Sequence, residues 1–235
     1  MKVVEEFETL QGEGKYLGVP SYFIRTAGCN LRCVWKDLDG TLTKCDTPYT
    51  SFRPEKGYDL VPNAIMNDLQ ETNIEHIVIT GGEPTIQDDL VQITNDFLDA
   101  GYKVTIETNG TRYRHMMEGA FMSISPKLSN SYHQEEDFHS RLHEKQNEFR
   151  DSLEKWTKYH NYQLKFVVNR KTDLPEIRLI QEEFAIPKER IYLMPQGIRQ
   201  EQFKEKDWLF DKCLEFGYTY TPRLHIDLFG NRRGI

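Results

Sequence analysis

HIVITGGEPTIQDDLVQITNDFLDAGYKVTIETNGT (76–111) holds, in order, an apolar run, a glycine turn, a helical stretch and a second β-branched run. HIVIT (76–80) and KVTIET (103–108) are rich in the Ile, Val and Thr that favour strands, and 87–100 predicts the helix between them. A strand, a crossover helix and a strand predict a parallel pair, because parallel strands need a long return connection. The same alternation continues in both directions. SYFIRT (21–26), FMSIS (121–125), QLKFVV (163–168) and RIYLM (190–194) are further candidate strands, with helices near 61–72, 174–184 and 204–216. Six strands are too few for a complete eight-stranded barrel. The pattern therefore predicts an α/β fold, either an incomplete, TIM-like barrel or an open, curved sheet. No repeat, low-complexity tract or linker interrupts it, so residues 1–235 are expected to form one domain.

Residues 129–161 break the rhythm with seven acidic and five basic side chains. Phe138, Leu142, Phe149, Leu153 and Trp156 recur at helical spacing, and Asp151/Lys155 and Glu154/Lys158 are i,i+4 pairs. Most of this segment is expected to be one long, charged helix added to the domain, either solvated on one face or covering a partner or the site.

Composition narrows the function. Hydrophobic residues make up 38% and charged residues 29% of the chain, within the range of soluble globular domains. With 30 Lys and Arg against 37 Asp and Glu, the net charge of -7 provides no overall field to attract nucleic acid. No run approaches the roughly 18 apolar residues of a membrane span. The start, MKVVEEFETL, lacks the basic and apolar regions of a signal peptide. No membrane or nucleic-acid partner is expected, and the location is expected to be cytoplasmic. Thiols in that compartment call for a metal, catalytic or core explanation rather than disulfides.

In parallel α/β folds the strand C-terminal ends carry the site. Here they read TGGEP (80–84), ETNGT (107–111), SPK (125–127) and MPQG (194–197). The first strand runs into AGCNLRCVWKDLDGTLTKCDTPYT (27–50), with Cys29 and Cys33 separated by three residues and Cys45 following after eleven more. Structural zinc normally takes four protein ligands, often as two CxxC knuckles, and no second knuckle is present. Cys213, in DWLFDKCLEFG, is expected on a helix as a core thiol. Three cysteines can instead hold a [4Fe-4S] cluster with one iron open to a small-molecule chelate. On spacing alone, cluster, zinc and chance proximity all stand.

FETLQGEG (7–14), GVPSYFIRTAGCNLRC (18–33), CDTPYT (45–50), TGGEP, ETNGT, SPK and PRLHIDLFGNRRGI (222–235) together resemble the radical S-adenosylmethionine (SAM) enzymes. Within them, the blocks are similar to the 7-carboxy-7-deazaguanine synthase family along almost the whole chain, with 129–161 outside the matched blocks as a variable helical insertion. The family's usual Cx3Cx2C spacing is interrupted by KDLDGTLTK (36–44). Removing these residues would join GCNLRCVW to CDTPYT, so they are expected to loop out as a tolerated insertion through the Asp39–Gly40 turn signal.

The resemblance implies a partial barrel of the radical SAM type. It implies a [4Fe-4S] cluster on Cys29, Cys33 and Cys45 that reduces bound SAM to generate a radical, and Mg²⁺ ligated by Thr47. SAM would lie against Asp46, Gly81, Gly82 and Glu83, with Ser125, Pro126 and Lys127 on its ribose and carboxylate side and Met194, Pro195, Gln196 and Gly197 at its adenine edge. The implied substrate is 6-carboxy-5,6,7,8-tetrahydropterin, met by Leu10, Gln11, Gly12, Thr80 and Ile235, with Arg25 on its carboxylate. The implied reaction is a lyase step that contracts the ring to 7-carboxy-7-deazaguanine with loss of ammonia. No protein acid or base need be catalytic in that scheme. An electron donor such as flavodoxin and a homodimer are further implications. The rivals are a radical SAM activating enzyme acting on a partner protein, and a noncatalytic zinc protein closing its site with a residue such as His225.

Overall fold

The computed structural model describes residues 1–37, 40–51, 53, 55–131, 149–158 and 161–235. Its main sheet runs β11 (Thr219–Tyr220), β10 (Ile191–Pro195), β9 (Asn161–Val168), β8 (Phe121–Ile124), β7 (Lys103–Thr108), β6 (His76–Gly81), β2 (Pro20–Thr26), β1 (Lys2–Leu10) and β5 (Tyr58–Asp59) in spatial order. From β2 to β11 every neighbouring pair is parallel; β1 and β5 add to the β2 edge in antiparallel fashion. The sheet is open, with the β5 and β11 edges not paired to each other. All six expected strands are present. The N-terminal strand β1 was not expected, because its EEFETL stretch mixes charge with single apolar residues and carries little strand signal.

Side chains on one face of the parallel strands are apolar. Ile24, Ile77, Ile79, Ile106, Met122, Ile124, Leu164, Phe166 and Leu193 are fully buried against helix residues such as Leu90 and Phe97 of α3 (Leu90–Asp99) and Ile177 of α5 (Leu174–Glu183). Truncating one of them to alanine is worth about 2–5 kcal/mol. On the other face, polar residues interspersed with apolar ones such as Phe23, Val78 and Phe121 bond across strands. The Ser21 hydroxyl meets His76 Nδ1 at 2.8 Å, His76 Nε2 meets Thr105 at 2.7 Å, and Gln163 Nε2 donates to Ser123 at 2.8 Å. Burial pushes the His76 imidazole down to about 4, so it sits neutral between the two hydroxyls. One face thus supplies the core and the other a polar interior. The segment after β1 spans that interior: Gly14 N–H donates to Thr221 Oγ1, Lys15 N–H to Gln163 Oε1, and Leu224 N–H to the Gly12 carbonyl. These bonds bring the first strand's exit to β9 and the chain's last segment.

Two expectations change. Of the long helix over 129–161, residues 149–158 (α4) are helical, with Leu153 and Trp156 fully buried and Phe149 packed beside them. Residues Ser129–Ser131 form a 3-10 turn and Asn161 already belongs to β9, while Phe138 and Leu142 lie outside the described residues. The Trp156 ring meets Tyr113 edge-on at 4.6 Å, and Ser152 Oγ donates to the Thr111 carbonyl, so α4 supports the strand end that carries ETNGT.

The second correction concerns the interruption at 36–44. It is not a free surface loop: β3 (Val34–Lys36) and β4 (Leu42–Lys44) pair antiparallel, with Trp35 opposite Thr43 and both buried. Trp35 and Thr43 face each other across the ribbon, with exposed Lys36, Leu42 and Lys44 beside them, and Trp35 gives the ribbon something to bury. Leu38 and Asp39 lie outside the described residues.

Candidate active site

The cysteine loop begins where β2 ends. Gly28 adopts φ +87°, its N–H donates to the Thr50 carbonyl, and its own carbonyl accepts from Glu83 N–H at 2.8 Å. Cys45 N–H donates to the Cys33 carbonyl at 3.0 Å, so the ribbon closes at its base and returns the third thiol to the first two. The eleven-residue separation is therefore short in space. Burial, with Glu83 nearby, pushes the Cys29 thiol up to about 11; burial also raises Cys33 and Cys45, while the Lys127 ammonium favours the thiolate at all three. Among the described residues no three Cys, His, Asp or Glu side chains converge on one metal position. Three half-buried thiols on one loop, set beside a cation, are a donor set for a cluster of several irons. Cys213 is buried in the core on α7 (Trp208–Phe216), as expected.

The β6 turn is held against this loop by contact that only glycine permits. A Cβ on Gly82 would stand 1.8 Å from the Gly28 carbonyl oxygen, and one on Gly81, at φ +123°, would stand 2.3 Å from Thr26 N. Glu83 turns its carboxylate inward: Oε1 accepts from Thr85 N–H, Thr85 Oγ1 and Thr108 Oγ1, and Oε2 from Asn109 N–H at 2.6 Å. Burial pushes that carboxyl upward against these bonds. Its side chain brackets the ends of β6 and β7, with both carboxylate oxygens engaged by groups of the protein itself.

Around the same rim, Ser125 N–H donates to the Thr108 carbonyl, Lys127 Nζ donates to Ser125 Oγ at 2.8 Å, and Pro126 is buried. Met194 and Pro195 end β10, and Gln196 N–H donates to the Val168 carbonyl. Gln196 Oε1 is buried without a hydrogen-bond partner, which suits an acceptor meant for a ligand's amine or hydroxyl. Gly197, at φ +152°, leaves a cradle whose Cβ position is 2.8 Å from the Phe203 ring. Beside the third cysteine, Thr47 Oγ1 is 3.4 Å from Cys45 Sγ, and the Thr47 carbonyl accepts from Thr50.

Inside the barrel the structure adds residues that sequence reading had not singled out. Thr80 Oγ1 donates to Glu107 Oε2 at 2.8 Å and Gln11 Nε2 to Glu107 Oε1 at 3.2 Å, with Lys165 Nζ 3.8 Å away. Lys165 also pairs with Glu13. Arg223 reaches Glu13 at 2.9 Å, the Gly197 carbonyl at 2.6 Å and Asp46. Against the burial that would raise them, Lys165 and Arg223 hold Glu13, and Arg223 holds Asp46, below the usual carboxylate range. One guanidinium thus ties the third-cysteine loop, the loop after β1 and the turn after β10. A signal existed for Lys165: it is a cation on a strand, QLKFVV, otherwise fit for burial.

Arg25 is not a lone cation. Its Nε donates to Glu5 Oε1 at 2.6 Å, directly across the β1–β2 register, and its guanidinium lies 5.6 Å from the centre of the Phe7 ring. Glu5 also accepts from Tyr49 and from Arg233 Nε at 2.6 Å, and Arg233 continues to Glu55. The Arg233 bond brings the tail that ends at Ile235 to the carboxylate partner of Arg25. Gln11 is buried, and Gly12 packs so that a Cβ would lie 2.4 Å from His225 Nδ1. Leu10, by contrast, is exposed and lines a surface groove with Pro20, Ile74, Leu228 and Phe229.

A partial parallel barrel with three cysteines on the loop after its first parallel strand defines a class, and residues 23–175 match the Radical SAM superfamily model. Curated relatives named 7-carboxy-7-deazaguanine synthase come from Rhodopirellula baltica, 38% identical over 99% of this chain and 88% of the relative, and Halobacterium salinarum, 34% identical over 98% and 91%. One from Pyrobaculum aerophilum is 33% identical over 100% and 97%. The crystal structure of QueE from Escherichia coli shares the fold, with a TM-score of 0.67 at 23% identity over 95% of this chain and 94% of that one. The chain belongs to the 7-carboxy-7-deazaguanine synthase family of the radical SAM superfamily. Its cofactors are accordingly a [4Fe-4S] cluster and SAM. No helix among the described residues is long and apolar enough to cross a membrane.

Proposed function

We propose that the chain converts 6-carboxy-5,6,7,8-tetrahydropterin into 7-carboxy-7-deazaguanine with loss of ammonia. The observation that carries the substrate class is the polar interior beneath the cysteine loop, where Glu107 meets Thr80, Gln11 and Lys165. A planar bicycle edged with N–H donors and carbonyl acceptors suits such a mixed rim. Glu107 takes the ring's N–H groups, and Lys165 and the Gln11–Gly12 segment face its acceptors. Arg25 binds the carboxylate: Nε is committed to Glu5, but a guanidinium has five N–H donors, and Arg233 shares the charge of Glu5. The tail at Ile235 closes the same side.

Cys29, Cys33 and Cys45 hold the cluster. Gly81, Gly82, Asp46, Ser125 and Lys127 receive the amino-acid and ribose portions of SAM, and Met194–Gly197 its adenine. Thr47 supplies a hard oxygen for Mg²⁺. When bound, the cluster and SAM supply the one-electron chemistry that removes a hydrogen atom from the substrate. The barrel's own task is to hold that C–H in line and keep water out. An electron donor such as flavodoxin and a cytoplasmic location belong to the same proposal, as does a homodimer, for which exposed Leu10, Leu228 and Phe229 offer an apolar surface.

Anaerobic reconstitution with iron, sulfide, SAM, Mg²⁺ and the carboxylated tetrahydropterin tests this: 7-carboxy-7-deazaguanine and ammonia should form together. A preparation that holds its cluster and binds SAM yet leaves this pterin unchanged would overturn the substrate assignment.

A further inference from the structure

The ribbon at 34–44, which the family's cysteine spacing does not require, is built into the rim of the barrel. Asp37 Oδ2 accepts from Gln202 Nε2 at 2.8 Å and from Thr43 Oγ1 at 2.7 Å. Gln202, buried on α6 (Gln200–Lys204), turns its Oε1 to the N–H groups of Ile198 at 2.8 Å and Arg199 at 3.1 Å. Its carbonyl accepts from the buried Lys206 Nζ at 3.1 Å. From the other side, Asn169 Nδ2 and Arg170 Nη2 donate to the Lys36 carbonyl at 2.9 and 3.1 Å. The ribbon is therefore fixed to the loops that follow β9 and β10.

The same junction holds buried polar atoms without a protein partner. Among the described residues, Trp35 Nε1, Asp37 Oδ1, Asn169 Oδ1 and Gln196 Oε1 are all buried without a hydrogen-bond partner. Buried polar atoms are seldom left so, and these four, out of seven such atoms among the described residues, fall on the ribbon and on the ends of β9 and β10 that it touches. Three of the four are acceptors, which matches a ligand edge rich in amine and hydroxyl donors.

We propose that the ribbon is a positioning element of the SAM site: through Asp37 and Gln202 it holds the Gln196–Arg199 turn in the shape that receives the adenosine end. This rests on the assignment of Gln196 and Gly197 to adenine. Asp37 acts through Gln202 and the turn, so SAM affinity in this chain depends on a segment outside the family's pattern. Two segments far apart in sequence, 34–44 and 196–202, form one side of the site.

The test compares wild type with Asp37→Ala, Gln202→Ala, their double variant and Asp37→Asn. In the apo protein, amide exchange at Ile198 and Arg199 should quicken in both alanine variants. After reconstitution, iron content should hold while SAM binding weakens about tenfold in each, on the order of 1.4 kcal/mol. The double variant should lose little more than either single one, because both break one chain of contacts. Asp37→Asn keeps an acceptor for Gln202 and should recover most of the affinity. Unchanged SAM affinity in Asp37→Ala, or a loss not shared by Gln202→Ala, would overturn the proposal. Iron loss in either alanine variant would overturn it too, since the ribbon would then act on the cluster. A wild type that binds SAM but does not turn over the pterin would refute the substrate assignment and leave this inference standing.

Discussion

Gly82 sits so close to Gly28 that a Cβ on the first would stand 1.8 Å from the carbonyl oxygen of the second. The turn after β6 and the loop carrying Cys29 are one packed unit, joined by the Glu83 N–H bond to that same carbonyl. Backbone cannot yield as a flexible side-chain tip can. Gly82→Ala should therefore displace the cysteine loop and cost on the order of 1–3 kcal/mol, the usual range for overpacking. Urea unfolding and iron content after reconstitution should both fall; a variant with wild-type iron and midpoint would show that the loop gives way freely.

The thiols separate by role. Cys45→Ala should abolish the cluster's electron paramagnetic resonance signal, because the ribbon's base returns this residue to Cys33. Cys213→Ala should keep the signal and lower stability by about 1–2 kcal/mol through a lost core contact. Full cluster retention in Cys45→Ala would remove the third ligand from the scheme.

Glu13 makes stability depend on pH in a defined direction. Its carboxyl is lowered from the ordinary value of 4.5 on folding, against burial, by Lys165 and Arg223. A group with a depressed folded pKa contributes stability above its unfolded pKa and loses it as pH falls towards the folded value. Wild type should thus weaken progressively below about pH 4.5, and Glu13→Gln should show a shallower acid branch in urea midpoints measured across pH. Equal slopes would mean that the pair contributes nothing to acid sensitivity.

Arg25 and its carboxylate partner give a substrate-specific outcome. Arg25→Ala should weaken use of the carboxylated pterin by at least tens of fold, since losing a charge-assisted partner costs on the order of 2–5 kcal/mol. Arg25→Lys should recover little of it, because one ammonium cannot serve Glu5 and a substrate carboxylate in the same planar geometry. SAM titration of the same variants should match wild type; turnover unchanged at low pterin would reject the assignment.

The strand alternation, the glycine turns at strand ends and the three cysteines were legible in the order of residues because each is a local pattern: a period, a turn chemistry, a spacing. So was the family, through blocks spread along the chain. β1 was not, since its charged positions make sense only once Glu5 faces Arg25 across the register. Nor was the interior set of Glu13, Glu107, Lys165 and Arg223, contributed by residues up to 210 positions apart and joined only when the segment after β1 crosses the barrel. The interruption at 36–44 shows the limit plainly. Residue order marked it as extra to the family's spacing, but only the folded chain placed Asp37 against Gln202, 165 residues away, because burial of Trp35 and Thr43 turns the ribbon inward. Local preference names the pieces of this protein; long-range burial and charge pairing decide which of them meet.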